Sequence, residues 1–362
     1  MAAKNTYVDL LKSAVDRLPI DRGNYPYVTA RVKAKKSLLL PKETYERLLQ
    51  MGIPAIARFL GEGQYHDEML ALGARYDGVD LVEMATRDNL ATVFSQIIRF
   101  SEGPLRDMIG HYLGRWDVWN VKTILRGKFY GAADEEILED VIPAGSLDLA
   151  FLERLVAFET IEEVVEGLED TPYHHAVLGL TAAPKEITTL APYEDLLDRL
   201  YYEHLLDVIP PSSEPTTLFH NFVRLEIDVV NLKTLLRVLG VEDIQTRQLF
   251  IPKGGYVRRP DLREMAQLDL PAVLPRLRDT PYHDVLAPYL QEDGGDLARG
   301  IRAMEKWLLD QASTGSNLHP LSILPVLDYL IAKTREVENI RIVARGKESG
   351  LDVEQIRELL VV

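Results

Sequence analysis

Apolar and polar positions recur along this chain in a helical pattern centred on Asn120, Asn231 and Asn339, 111 and then 108 residues apart. In each copy an acid stands three residues before the Asn (Asp117, Asp228, Glu336) and a base two residues after it (Lys122, Lys233, Arg341). An arginine follows six residues after the Asn (Arg126, Arg237, Arg345). At about 100° per residue, acid and Asn lie within about 60° of each other, and the two bases sit together roughly 200 to 240° from the Asn. Between them runs one apolar stripe: Val118, Val121, Ile124 and Leu125, then Val229, Leu232, Leu235 and Leu236, then Val337, Ile340, Val343 and Ala344. All twelve positions are apolar, which predicts a buried helix face in every copy.

A second element has the same period. Tyr65-His66, Tyr173-His174 and Tyr282-His283 are 108 and 109 residues apart, each preceded at the same offset by an acid (Glu62, Asp170, Asp279). The apolar residues upstream keep helical register: Ile53, Ile56 and Leu60, then Ile161, Val164 and Leu168, then Leu270, Val273 and Leu277. Thr171-Pro172 and Thr280-Pro281 read as an N-cap followed by Pro at the first helical position, so one helix ends and another begins at each Tyr-His. The chain is therefore a threefold internal repeat of whole domains, with boundaries expected near 1–115, 116–226 and 227–362 and terminal helices able to pack together.

Near the start, Thr29 takes the Asn place, and Arg31 and Lys35 keep the basic places, while Lys33 interrupts the stripe and Pro26 replaces the acid. A chain that opens and closes on the same element can close into a ring or funnel as well as extend. Ile142-Pro143-Ala144-Gly145 and Ile251-Pro252-Lys253-Gly254-Gly255 are equivalent linkers 109 residues apart, with Pro41-Lys42 as a shortened counterpart. Pro210 to Pro215 breaks any helix, and Gln291 to Gly295 and Ser313 to Asn317 read as loops. Gly127 and Gly346 read as helix ends after the stripes. A short extended pair is expected near Gly254 to Arg258; otherwise the reading is all-α.

Composition narrows the function. The chain has 362 residues, 46% hydrophobic and 27% charged, enough for two or three cores. No apolar run approaches the roughly 18 to 20 residues of a membrane span. The start, Met1 to Thr6, lacks an apolar signal core, and the absence of Cys removes disulfides and thiolate chemistry, so a cytoplasmic location is expected. A net charge of -15 argues against sequence-independent nucleic-acid binding. The exception is the basic run Arg31, Lys33, Lys35 and Lys36, followed by Leu38, Leu39 and Leu40. It reads as a solvated helix end or as a contact for an acidic partner.

Catalytic constellations are missing from the sequence. Gly127-Lys128 and Gly346-Lys347 lack the upstream Gly of a P-loop, and Gly61-x-Gly63 lacks the third Gly of a dinucleotide fingerprint. His174 and His175 point about 100° apart on a helix, a poor metal geometry, and His66, His174 and His283 have no carboxylate orienter in sequence. No cofactor or metal is expected. The repeated acids, asparagines and bases serve either as inter-helix ties or as three equivalent clusters lining a socket for an acidic partner; both roles are compatible.

These residues closely resemble the C subunits of the archaeal and bacterial A/V-type ATP synthases, the counterparts of the d subunits in vacuolar ATPases. The resemblance covers nearly the whole chain. It is carried by Tyr27-Val28-Thr29-Ala30-Arg31-Val32-Lys33, by Leu225-Glu226-Ile227-Asp228-Val229-Val230-Asn231-Leu232-Lys233-Thr234, by Lys253-Gly254-Gly255, and by Glu338-Asn339-Ile340-Arg341 through Gly350-Leu351. A longer polar insertion after Leu290 departs from it. The family implies three similar helical domains with pseudo-threefold symmetry forming a funnel, which seats the D and F proteins of the rotor shaft on the membrane ring of proteolipids. It implies a non-catalytic part that transmits torque. The rival reading is a helical-repeat scaffold unconnected with rotation, against which a repeat of about 109 residues is far longer than the roughly 33 to 47 of common solenoids. An enzyme is the third possibility, against which the missing constellations stand.

Overall fold

The computed structural model describes residues 23–182, 188–239, 249–290 and 295–362, and no strand occurs among them. The opening residues Met1 to Thr6 and the Gln291 to Gly294 part of the polar insertion lie outside the described residues. Helices start where the chain supplies starts. Pro26, Pro54, Pro215 and Pro325 stand in first turns, where a missing N–H costs nothing. Thr160 with Glu163, and Asp352 with Gln355, form capping boxes.

The described chain forms two compact units: Asp107–Leu308, and Gly23–Arg106 together with Leu309–Val362. The first holds two Asn-bearing helices, Arg115–Tyr130 and Glu214–Val238. Its core around the second gathers Leu232, Leu235 and Leu236 with Phe250, Val273, Tyr282 and Met304. In the second unit the helix Leu324–Glu348 packs on Gly78–Phe100 and Tyr25–Lys36. There Leu48, Ile56, Leu60 and Tyr65 share one core with Ile340, Val343, Ala344 and Ile356, so early and late stretches of chain fold together. All twelve stripe residues are buried, none more than 4% exposed.

Each Tyr-His marks a helix break as expected: Ile53–Gly61 gives way to His66–Leu72, Ile161–Gly167 to His174–Val177, and Leu270–Arg276 to Tyr282–Leu290. The threonines there act backwards, although Thr171 Oγ1 also accepts from the Tyr173 N–H (3.3 Å) as an N-cap does. Thr171 Oγ1 donates to the Leu168 carbonyl (2.7 Å) and Thr280 Oγ1 to that of Leu277 (2.7 Å), satisfying acceptors left at the end of the preceding helix.

Three further local expectations are corrected. Gly127 and Gly346 do not end their helices, which run on to Tyr130 and Glu348. They admit a neighbour instead: a Cβ would lie 2.3 Å from Ile137 Cγ1 at the first and 2.7 Å from Ile356 Cγ1 at the second. Ser313 to Asn317 is helical, inside Leu297–Leu318, where burial of Ala312 and Ser316 overrides weak propensity. The extended pair near Gly254 is absent. The Gly254 carbonyl accepts from the Arg224 guanidinium (3.0 and 3.2 Å) and the Gly255 N–H donates to the Arg224 carbonyl (3.2 Å), tying the segment to a helix.

Candidate functional site

The repeated acid and Asn, one turn apart, hold the chain that returns past their helix. Asp117 accepts from the Ser146 and Leu147 N–H groups (both 2.9 Å), from Ser146 Oγ (2.7 Å) and from the Tyr173 hydroxyl (3.0 Å). Asn120 donates to the Ile142 carbonyl (2.7 Å) and accepts from its N–H (2.8 Å), so one side-chain amide satisfies both backbone groups of a buried residue. The second copy repeats this. Asp228 Oδ2 accepts from Tyr256 N–H (2.6 Å) and the Tyr282 hydroxyl (2.9 Å), and Asn231 exchanges two 2.8 Å bonds with Ile251.

In the third copy Glu336 accepts from Leu40 N–H (2.5 Å) and the Tyr65 hydroxyl (2.7 Å), while Asn339 exchanges bonds of 2.8 and 3.1 Å with Val361. The part of Ile142 and Ile251 is thus taken by Val361, and Leu40, just before Pro41, supplies only an N–H to the acid. Lys333 is added here. It is fully buried, donates to Glu336 and to the Tyr65 hydroxyl (both 2.9 Å) and lies 4.2 Å from that ring's centroid. Burial pushes its pKa down, and Glu336 opposes the shift.

Space at the first two acids is reserved by glycine. A Cβ on Gly145 would lie 2.1 Å from Asp117 Oδ1, and one on Gly254 2.1 Å from Asp228 Oδ1. Burial raises the pKa of Tyr65, Tyr173 and Tyr282, which keeps all three hydroxyls protonated as donors. Asp228 differs from Asp117 in that its Oδ1 finds no hydrogen-bond partner, and burial pushes its carboxyl up to about 6.

The repeated bases meet acids on neighbouring helices of their own unit. Lys122 pairs with Asp198 (2.5 Å) and Arg126 holds Glu194 with two 2.6 Å bonds, both acids on Ala191–Val208. Lys233 pairs with Glu305. Arg345 holds the buried Glu83 at 2.7 and 2.9 Å, and Arg341 approaches it at 3.5 Å. Arg237 is exposed. Asp117, Asn120, Asp228, Asn231, Glu336 and Asn339 are all buried, so these six act inside the fold.

With this geometry in hand, residues 28–359 match the protein family described as ATP synthase (C/AC39) subunit. The chain belongs to that family. It is similar to the A-type ATP synthase C subunit of Methanococcoides burtonii, 39% identical over 94% of this chain and 95% of the relative. It is also similar to those of Methanosarcina acetivorans (39%, 94% and 93%) and Haloferax volcanii (38%, 94% and 98%). The family's all-α fold accounts for the absence of strands among the described residues.

Other candidates resolve differently. Of the basic run, Lys35 donates to Gln96 (2.9 Å) and Lys36 pairs with Asp328 (2.6 Å). Arg31 bonds the Tyr27 hydroxyl (2.6 Å) and lies 4.6 Å from the Phe100 centroid; it and Lys33 stay exposed. Thr29 donates to the Pro320 carbonyl (2.8 Å), a single backbone bond where the asparagines make two. His66 meets the Gly61 carbonyl (2.7 Å), whereas His283, contrary to expectation, has a carboxylate beside it, its neighbour Asp284 (3.0 Å). No group of three or more His, Asp or Glu among the described residues is arranged to hold a metal ion, and no described helix is long and apolar enough to cross a membrane.

Sequence reasoning found the acids and the tyrosines separately but not their union. The signal was present in two copies as a similar offset, 56 residues from Asp117 to Tyr173 and 54 from Asp228 to Tyr282. It also missed Arg115, whose guanidinium clasps Glu226 (2.5 and 3.0 Å) with its Cζ 3.7 Å from the Tyr112 ring centroid, joining the first two Asn helices.

Proposed function

We propose that the chain is a non-catalytic central-stalk component of an A/V-type rotary ATP synthase or ATPase on the cytoplasmic side of the membrane. It seats the D–F shaft on the proteolipid ring and passes torque between them. Three repeat modules, expected near 1–115, 116–226 and 227–362 with the last Asn helix completing the core of the first, then surround the shaft as a funnel. The observation that carries this reading is the thrice-built lock of acid, Tyr and Asn in a chain of this family. A torque adaptor must resist shear, and each lock fixes a helix to a distant stretch of chain through buried bonds whose rupture leaves unsatisfied groups at about 1–3 kcal/mol apiece. The paired bases serve first as ties within each unit. Their solvent-facing sides, with those of Arg31 and Lys33, are the proposed contacts for acidic groups of the shaft or ring.

The test is omission and restoration. A synthase reassembled without this chain should hydrolyse ATP but drive no ion transport, and adding the purified chain should restore pumping. The isolated chain should show background ATPase and phosphatase turnover. Ion pumping at wild-type rates without the chain defeats the adaptor reading, and turnover by the isolated chain defeats the non-catalytic one.

A further inference from the structure

The Arg115–Tyr130 helix has an outward face that the interior locks leave unused. Trp119, Thr123, Arg126 and Tyr130 recur at i, i+4, i+7 and i+11, so they stay within about 60° of one another on the helix surface. Trp119 is 44% and Tyr130 75% exposed. Trp, Tyr and Arg are the side chains that dominate binding energy at protein interfaces, and the two aromatics cover a large area with few rotatable bonds. Trp119 is held in place. Its indole N–H donates to the Asp140 carbonyl (3.3 Å) and its ring meets Trp116 edge-on at 6.4 Å, so little freedom remains to be lost on contact. The residues corresponding to Trp119 in the other copies are the half-buried Val230 and the charged Glu338, so this aromatic face belongs to the first Asn helix alone.

Carboxylates stand on both sides of the stripe. The short helix Asp134–Asp140, acidic at five of its seven positions, packs along one side through Ile137 against Gly127. On the other side Ala191–Val208 brings Glu194, Asp195 and Asp198, where Lys122 and Arg126 supply two positive charges against three negative ones. Burial, and then the nearby Asp198, push the Asp195 carboxyl up to about 6, while Lys122 opposes the shift.

We propose that this stripe is a docking surface for a cationic amphipathic helix of another protein chain. Its apolar side covers Trp119 and Tyr130, and its Lys or Arg residues face the two acidic flanks. Anionic lipid and nucleic acid are repelled by the same flanks. At Lys122 and Arg126, already spent on Asp198 and Glu194, this contact takes the place of the acidic one proposed for the other repeated bases, and it does not depend on torque transfer.

Thr123, at the centre of the stripe, takes the photo-crosslinking residue benzoylphenylalanine in the assembled synthase complex, and cross-linked peptides are read by mass spectrometry. The expected product joins this chain to a Lys- or Arg-rich segment of another protein of the complex with helical apolar spacing. In parallel, W119A/Y130A and, separately, E135K are incorporated. The first should weaken retention of the chain in the complex tenfold or more, and the second several-fold with a loss that shrinks as salt rises, both with unchanged thermal melts. Cross-links to no other protein, or to an acidic segment, overturn the proposal, as does wild-type retention of W119A/Y130A. Binding of the purified chain to phosphatidylglycerol vesicles that W119A/Y130A abolishes overturns it in favour of a lipid surface. A complex that retains W119A/Y130A and still needs this chain for pumping removes the docking surface while leaving the adaptor reading intact.

Discussion

Asp117 and Asp228 occupy the same place in their repeats, yet only the second leaves a carboxylate oxygen without a partner. Burial makes the charged carboxylate costly and pushes Asp228 from the ordinary 3.8 up to about 6, against the hydrogen bonds from Tyr256 and Tyr282 that favour the charged form. The sign follows. A carboxyl whose pKa is raised by folding contributes most below its unfolded value, and that contribution is lost as pH rises from about 4 to about 6, then stays constant. Over this window the Asp107–Leu308 unit should lose up to a few kcal/mol of stability through this one group. Asp228→Asn keeps an acceptor for Tyr282 and Tyr256 and removes the titration. Denaturant melts at a series of pH values should give a wild-type minus variant difference that falls across the window. A difference flat with pH would show that Asp228 titrates normally.

At the scale of the helix, the stripe determines whether a copy folds. Leu235 is fully buried in the core with Phe250, Val273 and Met304, so Leu235→Asp loses its burial and places an unpaired charge in that core. A loss of several kcal/mol is expected, enough to melt the Asp107–Leu308 unit at a visibly lower temperature by circular dichroism. An unchanged melt would show that the stripe is not core. These elements were legible in the sequence because their cause is local: a 3.6-residue period survives in any window of three turns. What the helices hold was not legible. The acceptors of Tyr173 and Tyr282 lie more than fifty positions upstream, and periodicity says which face is buried without saying which distant group arrives there. Gly127 and Gly346 misled for a related reason. Glycine marks either a helix end or a close approach, and only the positions of Ile137 and Ile356 decide between them. Of the bases, the sequence supplied positions and spacing, while their partners Asp198, Glu194, Glu305 and Glu83 became apparent only with the packing of helices.

At the scale of the whole molecule, the division into units cuts across the order of the chain. Gly23–Arg106 shares its core with Leu309–Val362, and every described residue of the other unit lies between them in sequence. Removing residues 309–362 should therefore leave the Asp107–Leu308 unit resistant to limited proteolysis and expose the early segment to rapid cleavage. Equal resistance of both regions would show that the early segment folds by itself. The arrangement also bears on synthesis. At about 5–20 residues per second, tens of seconds separate emergence of Leu40 and Tyr65 from the ribosome and arrival of their acceptor Glu336. Throughout that interval Leu48, Ile56 and Leu60 have no finished core to enter, and only the arrival of Ile340, Val343 and Ala344 closes it.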